Sequence, residues 1–217
     1  VTKENAVVNN KASLNFGDES IGILAKKSTV NLTGTGTNDI SVGKDGIGVY
    51  AKDSSVNLLT DYGFQIKDRG VGIYAENNGG ARDNSDVTNS GFINVNKDSS
   101  AGILAKKAKV TNTGTGTTGG IILSAIKTAG IIGNAGSLVS NTGVIKTQGV
   151  TPATDTDGLV GIALSASEGT NESAGKITLG TEYSTGMFGK VGAIAINEGT
   201  IEGTKEKIVG MAGDAST

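Results

Sequence analysis

A five-residue phrase built around a glycine recurs eight times along the chain. The glycine stands second, a strictly apolar residue third, a usually bulky apolar residue fourth and a usually small residue fifth. The copies occupy residues 21–25, 47–51, 71–75, 101–105, 129–133, 160–164, 185–189 and 209–213. Their glycines are 24 to 31 residues apart. A repeat of this length without helical periodicity is typical of one turn, or rung, of a β-solenoid.

The repeat predicts an all-β chain, a parallel β-helix of about eight rungs of roughly 24–31 residues in which strands stack in register. The third column reads Ile, Val, Ile, Ile, Ile, Ile, Met and Met, with no polar residue. Alternate residues of a strand share a face, so the first, third and fifth positions are expected to point inward. The glycine and the fourth residue are then expected to point outward. We expect residues 1–217 to form a single solenoid.

A second strand follows most copies, as in residues 29–32, 55–58, 86–89, 109–112 and 138–141. An Asn-x-Gly-x-Ile element often comes next, at residues 89–93, 141–145 and 197–201. Asn and Gly suit a turn with positive φ, so this element indicates a corner, where stacked asparagines can hydrogen-bond along the axis. Each rung should therefore contain two or three short strands.

Composition excludes several function classes. There is no Cys and no His, which removes thiolate and imidazole ligands and every histidine-dependent triad, so no cofactor and no metal are expected. The net charge of −2 and only two arginines argue against nucleic acid. No apolar run is long enough for a membrane span, so no membrane insertion of this segment is expected. The missing cysteines and the start at Val1 suggest a piece of a longer exported chain.

Two long intervals between glycines predict loop insertions near residues 76–86 and 148–158. Such insertions project from repeat proteins and often carry recognition, although a tolerated solvated loop is the simpler interpretation. Arg82 and Asp83 in the first loop, with Asp155 and Asp157 in the second, are candidate partner-binding residues. The run Asp155-Thr156-Asp157-Gly158 resembles the opening of a calcium loop, but it lacks the later bidentate Glu, and a polar turn fits better.

The outward fourth column is apolar and includes two neighbouring tyrosines, Tyr50 and Tyr74. An exposed apolar stripe usually marks an interface, which makes these tyrosines candidates for contact with a glycan or protein partner. The alternative is that the strand bends so that both consecutive residues pack, or that a loop covers the stripe. Catalysis is not expected, because the acidic residues are scattered; Asp53 and Glu76, in similar turns of adjacent rungs, are the closest approach to a pair.

The phrases Gly46-Ile47-Gly48-Val49-Tyr50-Ala51-Lys52 and Gly70-Val71-Gly72-Ile73-Tyr74-Ala75-Glu76-Asn77 resemble passenger repeats of type V autotransporter adhesins. The likeness is greatest to the very long fusobacterial outer-membrane adhesins and extends along the whole chain. The resemblance implies a right-handed parallel β-helix displayed at the bacterial cell surface, outside the outer membrane, and adhesion to a host or bacterial surface protein or glycan. The repeats degrade from about Gly119 onward, and no binding residue can be carried over.

The sequence therefore predicts a monomeric, non-enzymatic adhesin segment that acts as a stiff shaft or binding surface. A carbohydrate-binding or polysaccharide-degrading β-helix is the alternative. The strand edges at either end of an excised segment would be unpaired and would invite edge-to-edge association, so oligomers of the isolated segment are expected to be artefacts of excision.

Overall fold

The computed structural model describes residues 6–34, 38–79, 85–115 and 119–215, without the side chains of Asn38, Asp39 and Asp155. The described residues form three parallel sheets of eight strands each and contain no α-helix. Each rung contributes one strand to each sheet in turn, so the expected parallel β-solenoid of about eight rungs is confirmed. The sequence predicted two or three strands per rung, and three are observed.

Sheet 1 is formed by the first strand of each rung. Its strands are β1 (Ala6–Asn10), β4 (Ser28–Leu32), β7 (Ser55–Leu58), β10 (Asp86–Asn89), β13 (Lys109–Asn112), β16 (Leu138–Asn141), β19 (Glu168–Asn171) and β22 (Ile194–Asn197). They include all five strands that the sequence predicted to follow the glycine phrases.

Sheet 2 is formed by the middle strand of each rung. Its strands are β2 (Leu14–Asn15), β5 (Asn38–Val42), β8 (Tyr62–Ile66), β11 (Phe92–Val95), β14 (Gly120–Leu123), β17 (Val144–Thr147), β20 (Lys176–Leu179) and β23 (Thr200–Gly203).

Sheet 3 contains the eight glycine phrases. Its strands are β3 (Ile21–Lys26), β6 (Ile47–Lys52), β9 (Val71–Glu76), β12 (Ala101–Lys106), β15 (Ala129–Asn134), β18 (Val160–Ser165), β21 (Thr185–Lys190) and β24 (Val209–Asp214). Equivalent positions pair across rungs, for example Val49 with Ile73 and Ile73 with Ile103. The phrases are therefore stacked in register.

The core consists of β-branched and leucine side chains in columns along the axis. The third position of the phrase is fully buried in the inner rungs, as at Val49, Ile73, Ile103, Ile131 and Ile162. Tyr62 and Phe64 of β8 are the largest fully buried side chains. Burial of one such side chain contributes about 1.5–3 kcal/mol, and repetition of the columns accumulates this gain rung by rung.

The glycine of the phrase points inward, which corrects the expectation that it points outward. A Cβ on Gly48 would lie 2.5 Å from the ring of Phe64 and 2.7 Å from the carbonyl oxygen of Gly72. The glycine and the third residue thus both face the core, because the strand bends between them. The first residue of the phrase then lies on the outside with the fourth, against the expectation that it points inward.

From Gly22 to Gly186, each glycine of this column lies against the carbonyl oxygen of the glycine in the next rung. A Cβ would lie 2.6 Å from that oxygen at Gly102, Gly130 and Gly161, and 2.5 Å at Gly186. Real Cβ atoms do not approach a carbonyl oxygen so closely, so any larger residue would push two rungs apart. The glycine column is therefore a condition for stacking at this spacing.

The corner glycines are also required by close approach, not by positive φ as the sequence suggested. Neither Gly91 nor Gly143 has positive φ. A Cβ on Gly91 would lie 2.5 Å from the carbonyl oxygen of Leu59, and one on Gly143 would lie 2.5 Å from that of Gly114. These corners press against the main chain of the preceding rung.

An asparagine ladder runs along the corner between sheets 1 and 2, as expected from the Asn-x-Gly-x-Ile elements. The side-chain amide of each asparagine donates to the side-chain oxygen of the next, at 2.7–2.8 Å, through Asn89, Asn112, Asn141, Asn171 and Asn197. The first four are fully buried. Buried amides are stable only when their hydrogen bonds are made, so the ladder links five successive rungs in one register.

Replacement of Gly130 by alanine tests the close approach. We expect Gly130→Ala to lower the free energy of unfolding by about 1–3 kcal/mol or more, as overpacking does, because the methyl group would meet the carbonyl of Gly161. Gly210→Ala is the matched control, because nothing described lies within 4 Å of a Cβ there. Denaturant unfolding of both variants followed by circular dichroism decides the matter; equal midpoints would refute the steric requirement.

Replacement of Asn141 by leucine tests the ladder. Leucine fits the column, since Leu32 and Leu58 occupy it in earlier rungs. Asn141→Leu nevertheless removes two hydrogen bonds and leaves Asn112 and Asn171 short of partners. We expect a loss of about 1–3 kcal/mol in the free energy of unfolding. Asn57→Ser, in a half-exposed pair with Asn31 where water can replace the lost bond, should cost much less.

Candidate functional site

The outer face of sheet 3 carries the first, fourth and sixth residues of each strand. No first-column residue belongs to the connected core cluster; Ile21 and Val209 are 48% and 44% exposed, although the small side chains of Ala101 and Ala129 are buried. Leu24 in the fourth column is 67% exposed, and the remaining fourth-column residues are half-buried. The bend that the alternative predicted is found, but it brings the glycine and the third residue inward together and leaves the fourth residue outside.

The two columns are apolar along almost the whole rod. Apart from Thr185, every position is Ala, Val, Ile, Leu, Phe or Tyr; the first column reads Ile21, Ile47, Val71, Ala101, Ala129, Val160, Thr185, Val209 and the fourth Leu24, Tyr50, Tyr74, Leu104, Ile132, Ala163, Phe188, Ala212. The outer face of sheet 1 between β4 and β19 is, in contrast, polar at every position except Leu138. Sheet 3 therefore presents a distinct surface, the apolar face.

A polar column borders the apolar face along the sixth position of each strand. It consists of Lys26, Lys52, Glu76, Lys106, Asn134, Ser165, Lys190 and Asp214. Lys52 and Glu76 are paired in register, and their charged groups lie 3.6 Å apart. An apolar area with a polar rim is the usual anatomy of an interaction surface.

Tyr50 and Tyr74 are cross-rung neighbours at the middle of the first half of this face, as the sequence predicted. Their ring centroids lie 5.2 Å apart, with the rings at 65° in an edge-to-face arrangement. Both hydroxyls donate to the carboxylate of Glu76, Tyr50 to Oε1 at 2.6 Å and Tyr74 to Oε2 at 3.2 Å. One carboxylate thus holds two aromatic rings at fixed angles on the outer surface.

These contacts shift the pKa values of the three side chains. The hydrogen bond to Glu76, together with burial of Tyr50 and the negative charge of Glu76, raises the pKa of Tyr50 to about 12. Partial burial, followed by the charge of Glu76, also raises the pKa of Tyr74. The pKa of Glu76 is lowered, chiefly by the bond from Tyr50. At neutral pH the cluster therefore consists of two neutral phenols and one carboxylate.

Of the four loop residues predicted from the sequence, only Asp157 has a described side chain, and it lies in a separate turn. Arg82 and Asp83 lie outside the described residues, as does the side chain of Asp155. Asp155–Asp157 form a single 3-10 turn between β17 and β18. Asp157 pairs with Lys127 at 3.1 Å and accepts from the hydroxyl of Thr154 at 3.2 Å. The bond from Lys127 lowers the pKa of Asp157, so this carboxylate serves the polar turn that the sequence favoured.

Asp53 and Glu76 are placed close together, but as parts of a turn. The main-chain N–H of Asp53 donates to the carbonyl of Glu76 at 2.9 Å, and its carboxylate accepts from the N–H of Asn78 at 2.9 Å. Across the described part of the chain, no three His, Cys, Asp or Glu side chains are grouped as a metal would require. No helix among these residues is long and apolar enough to cross a membrane.

Sequence reasoning found one column of the apolar face and missed the other. Strict alternation placed Ile47 and Val71 inside, whereas the bend after the glycine puts them outside. The sequence did contain a signal of the bend. The sixth position is polar in every copy, so it is expected to face outward with the fourth position. The first position can share that face only if the strand bends.

Titration of the tyrosines tests the cluster. Because the pKa of Tyr50 is higher in the folded chain than the ordinary value of about 10, its stabilising contribution is complete below pH 10 and is lost as the pH rises toward 12. Spectrophotometric titration should show a phenol ionising near 12, and Glu76→Gln should move it back toward 10. Tyr50→Phe should remove that step; a step that persists belongs to another tyrosine.

Comparison with known proteins adds one match. Residues 1–120 match the model of a family described as the BigA third pectate lyase-like domain. No curated protein and no solved structure matches the chain. The match covers more than half of the 217 residues and agrees with the β-helical fold. The chain therefore belongs to the family of the BigA third pectate lyase-like domain, a domain of a bacterial surface protein.

Proposed function

We propose that this chain is a passenger segment of a bacterial autotransporter adhesin, exported by type V secretion and similar to the long fusobacterial outer-membrane adhesins. Its apolar face attaches to a protein or glycan on a host or bacterial surface, as an adhesin does in virulence. The observation that carries the proposal is the composition of that face, where every first-column and fourth-column residue except Thr185 is apolar. The surface-protein family to which the chain belongs supports the location.

Exposure of an apolar face of this extent to water is energetically unfavourable. Single exposed apolar side chains are common, but two adjacent columns along eight rungs form a continuous strip roughly 35–40 Å long at the 4.8 Å strand spacing. Contiguous apolar areas with polar rims mark sites of interaction. The face is therefore best understood as a surface that another molecule covers.

The tyrosine pair is the natural anchor on this face. Tyrosine offers a large apolar ring with a polar tip and loses little conformational entropy on binding. The shared bond to Glu76 holds both rings before a partner arrives, which reduces the cost of ordering them. We therefore expect binding energy to be concentrated at Tyr50 and Tyr74.

The solenoid supplies a stiff support for this surface. The three sheets share one core, and every inner strand is paired on both sides. A rod of this kind can hold a binding surface away from a cell or extend the reach of neighbouring segments. The shaft role and the binding role therefore use the same columns.

We further propose that the segment has no catalytic activity. Its carboxylates mostly serve lysines or turns: Asp157 pairs with Lys127, and Glu202 pairs with Lys176 at 2.8 Å. Arg69, the one described arginine, is bound by Asp45 through a two-point contact. Acid–base cleavage of a polysaccharide needs converging groups that these pairs do not supply.

A carbohydrate ligand is the second candidate for the same face. Two aromatic rings on an outer surface suit the apolar faces of sugars, and the family is described as pectate lyase-like. Binding of acidic or neutral polysaccharides without release of shorter or unsaturated products would support a carbohydrate-binding role. Release of such products would overturn the non-enzymatic proposal.

Binding of the purified chain to host cells, bacterial cells and a glycan array tests the proposed function. We expect the double variant Tyr50→Ser with Tyr74→Ser to weaken binding by about tenfold or more, as loss of buried interface tyrosines does. Ile122→Ser is the matched control, because Ile122 is a half-buried apolar residue on the outer face of sheet 2. Circular dichroism confirms that each variant is folded.

The outcomes separate a binding surface from a spacer. Loss of binding in the tyrosine variant with retention in Ile122→Ser supports the apolar face as the contact. Equal binding by both variants places the contact elsewhere. A folded chain that binds no cell surface and no glycan overturns the binding proposal and supports the role of a spacer.

A further inference from the structure

The edge of sheet 3 that leads into sheet 1 is basic in the first four rungs. Each rung has two positions there, the sixth residue of the sheet 3 strand and the turn residue that follows it. Lysine occupies five of these eight positions, which we call the lysine edge: Lys26, Lys27, Lys52, Lys106 and Lys107. Because the strands are paired in register, these lysines stand in columns beside the first half of the apolar face.

The carboxylates of this edge are already engaged within the chain. Glu76 accepts from both tyrosine hydroxyls and lies 3.6 Å from the ammonium group of Lys52. The carboxylate of Asp53 accepts from a main-chain N–H in the turn of the next rung. Three exposed lysines make no ion pair with any residue that the structure describes: Lys26, Lys106 and Lys107. These three side chains therefore present unpaired positive charge to solvent.

The opposite edge of sheet 3 carries the reverse charge in the same rungs. The third and second residues before each strand include five carboxylates and two cations: Asp18, Glu19, Asp45, Asp68 and Asp98, with Lys44 and Arg69. Screening confines interactions between exposed charges to about 8 Å at physiological ionic strength, so the local charge matters more than the net charge of −2. An anionic partner is therefore attracted to the lysine edge and repelled by the opposite edge.

Apolar and basic side chains run in parallel columns along this half of the face. In three rungs the fourth residue is Leu or Tyr and the sixth, on the same side of the strand, is lysine: Leu24 with Lys26, Tyr50 with Lys52 and Leu104 with Lys106. These pairs recur at multiples of the strand spacing of about 4.8 Å. The surface therefore fits a long molecule that has apolar faces along one line and anionic groups along its side.

We propose that the partner of the apolar face is a sulfated polysaccharide, whose sugar rings pack on Tyr50 and Tyr74 while its sulfate groups bind the lysine edge. The inference rests on the proposed function and names the ligand class of that same face. Tyrosine rings suit the apolar faces of sugars, and lysine ammonium groups are compact charges that suit sulfate. Adjacent lysines, as at Lys106 and Lys107, suit a chain with more than one anionic group per repeat, which dense sulfation supplies.

An acidic peptide fits this surface less well. Extended peptides commonly bind by adding a strand to an open sheet edge. The strands from β6 to β12, which carry the tyrosine pair and the lysines beside it, are paired on both sides. A peptide over this face would leave its own main-chain amides without partners in the sheet, whereas a polysaccharide has no such groups to satisfy.

Binding of the chain to immobilised heparin tests the proposal, measured by surface plasmon resonance over a series of salt concentrations. The double variant Lys106→Gln with Lys107→Gln removes two exposed charges of the lysine edge. Lys97→Gln with Lys146→Gln is the matched control, because both lysines are exposed, lie away from the lysine edge and remove the same charge. Melting temperatures should be unchanged in both variants, since all four side chains are exposed.

We expect Lys106→Gln with Lys107→Gln to raise the dissociation constant about tenfold or more and to reduce its dependence on salt, because fewer counterions are released. The control should change neither. Tyr50→Ser with Tyr74→Ser should weaken binding at every salt concentration without changing the salt dependence, because apolar packing is not screened. Heparin stripped of its sulfates, which keeps its carboxylates, should bind at least about tenfold more weakly than heparin.

Three results would overturn the proposal. Equal weakening by the two lysine variants would show that the attraction to heparin is not located at the lysine edge. Equal binding of heparin with and without its sulfates would assign recognition to carboxylates. Inhibition by polyglutamate as strong as that by heparin would indicate an acidic protein as the partner.

Competition on host cells separates this proposal from the proposed function. We expect soluble heparin to inhibit the binding of the chain to cells. Tyrosine-dependent cell binding that heparin does not inhibit would leave adhesion in place and overturn the sulfated ligand. A folded chain that binds neither cells nor heparin would overturn both.

Discussion

The close approach of successive rungs at the glycine column is the constraint on which the rest of the structure depends. The carbonyl of each glycine in this column lies where the preceding glycine would carry a Cβ, so the rungs can stack in register only with glycine at that position. The bend between the glycine and the third residue follows from that contact. It turns the third residue into the core and places the first and fourth residues outside. The core and the apolar face are therefore two results of one local geometry.

Much of the fold could be predicted because a solenoid repeats its information. The interval between glycines predicted the number of rungs, the strictly apolar third column predicted the core, and the Asn-x-Gly-x-Ile elements predicted both a corner and the asparagine ladder. Each of these features recurs at one fixed position in the rung, so an error in one copy is corrected by the others. Tyr50 and Tyr74 were placed as cross-rung neighbours for the same reason.

The features that sequence reasoning missed depend on main-chain contacts between rungs. Alternation correctly describes the strand from the third residue onward but fails at the glycine, because the constraint comes from a carbonyl in the next rung. Gly91 and Gly143 were expected to have positive φ for the same reason: the sequence does not show which main-chain atoms of the preceding rung lie against them. Positive φ occurs instead at residues such as Asp45 and Arg69, in turns where composition gave no hint of it. The bonds of Tyr50 and Tyr74 to Glu76 were also missed. Tyr50 lies 26 residues from Glu76 on the neighbouring strand, and Tyr74 lies two residues from it on the same strand.

A repeated rung gives stiffness and a continuous surface together, and these two properties cannot be varied independently. The apolar face is long because the first and fourth columns repeat with the core. Discrimination among partners must therefore come from residues that break the repeat. Tyr50, Tyr74 and Glu76 do so, since no other described rung places two aromatic rings on one carboxylate. This argues that recognition is concentrated there, while the regular columns supply area and support.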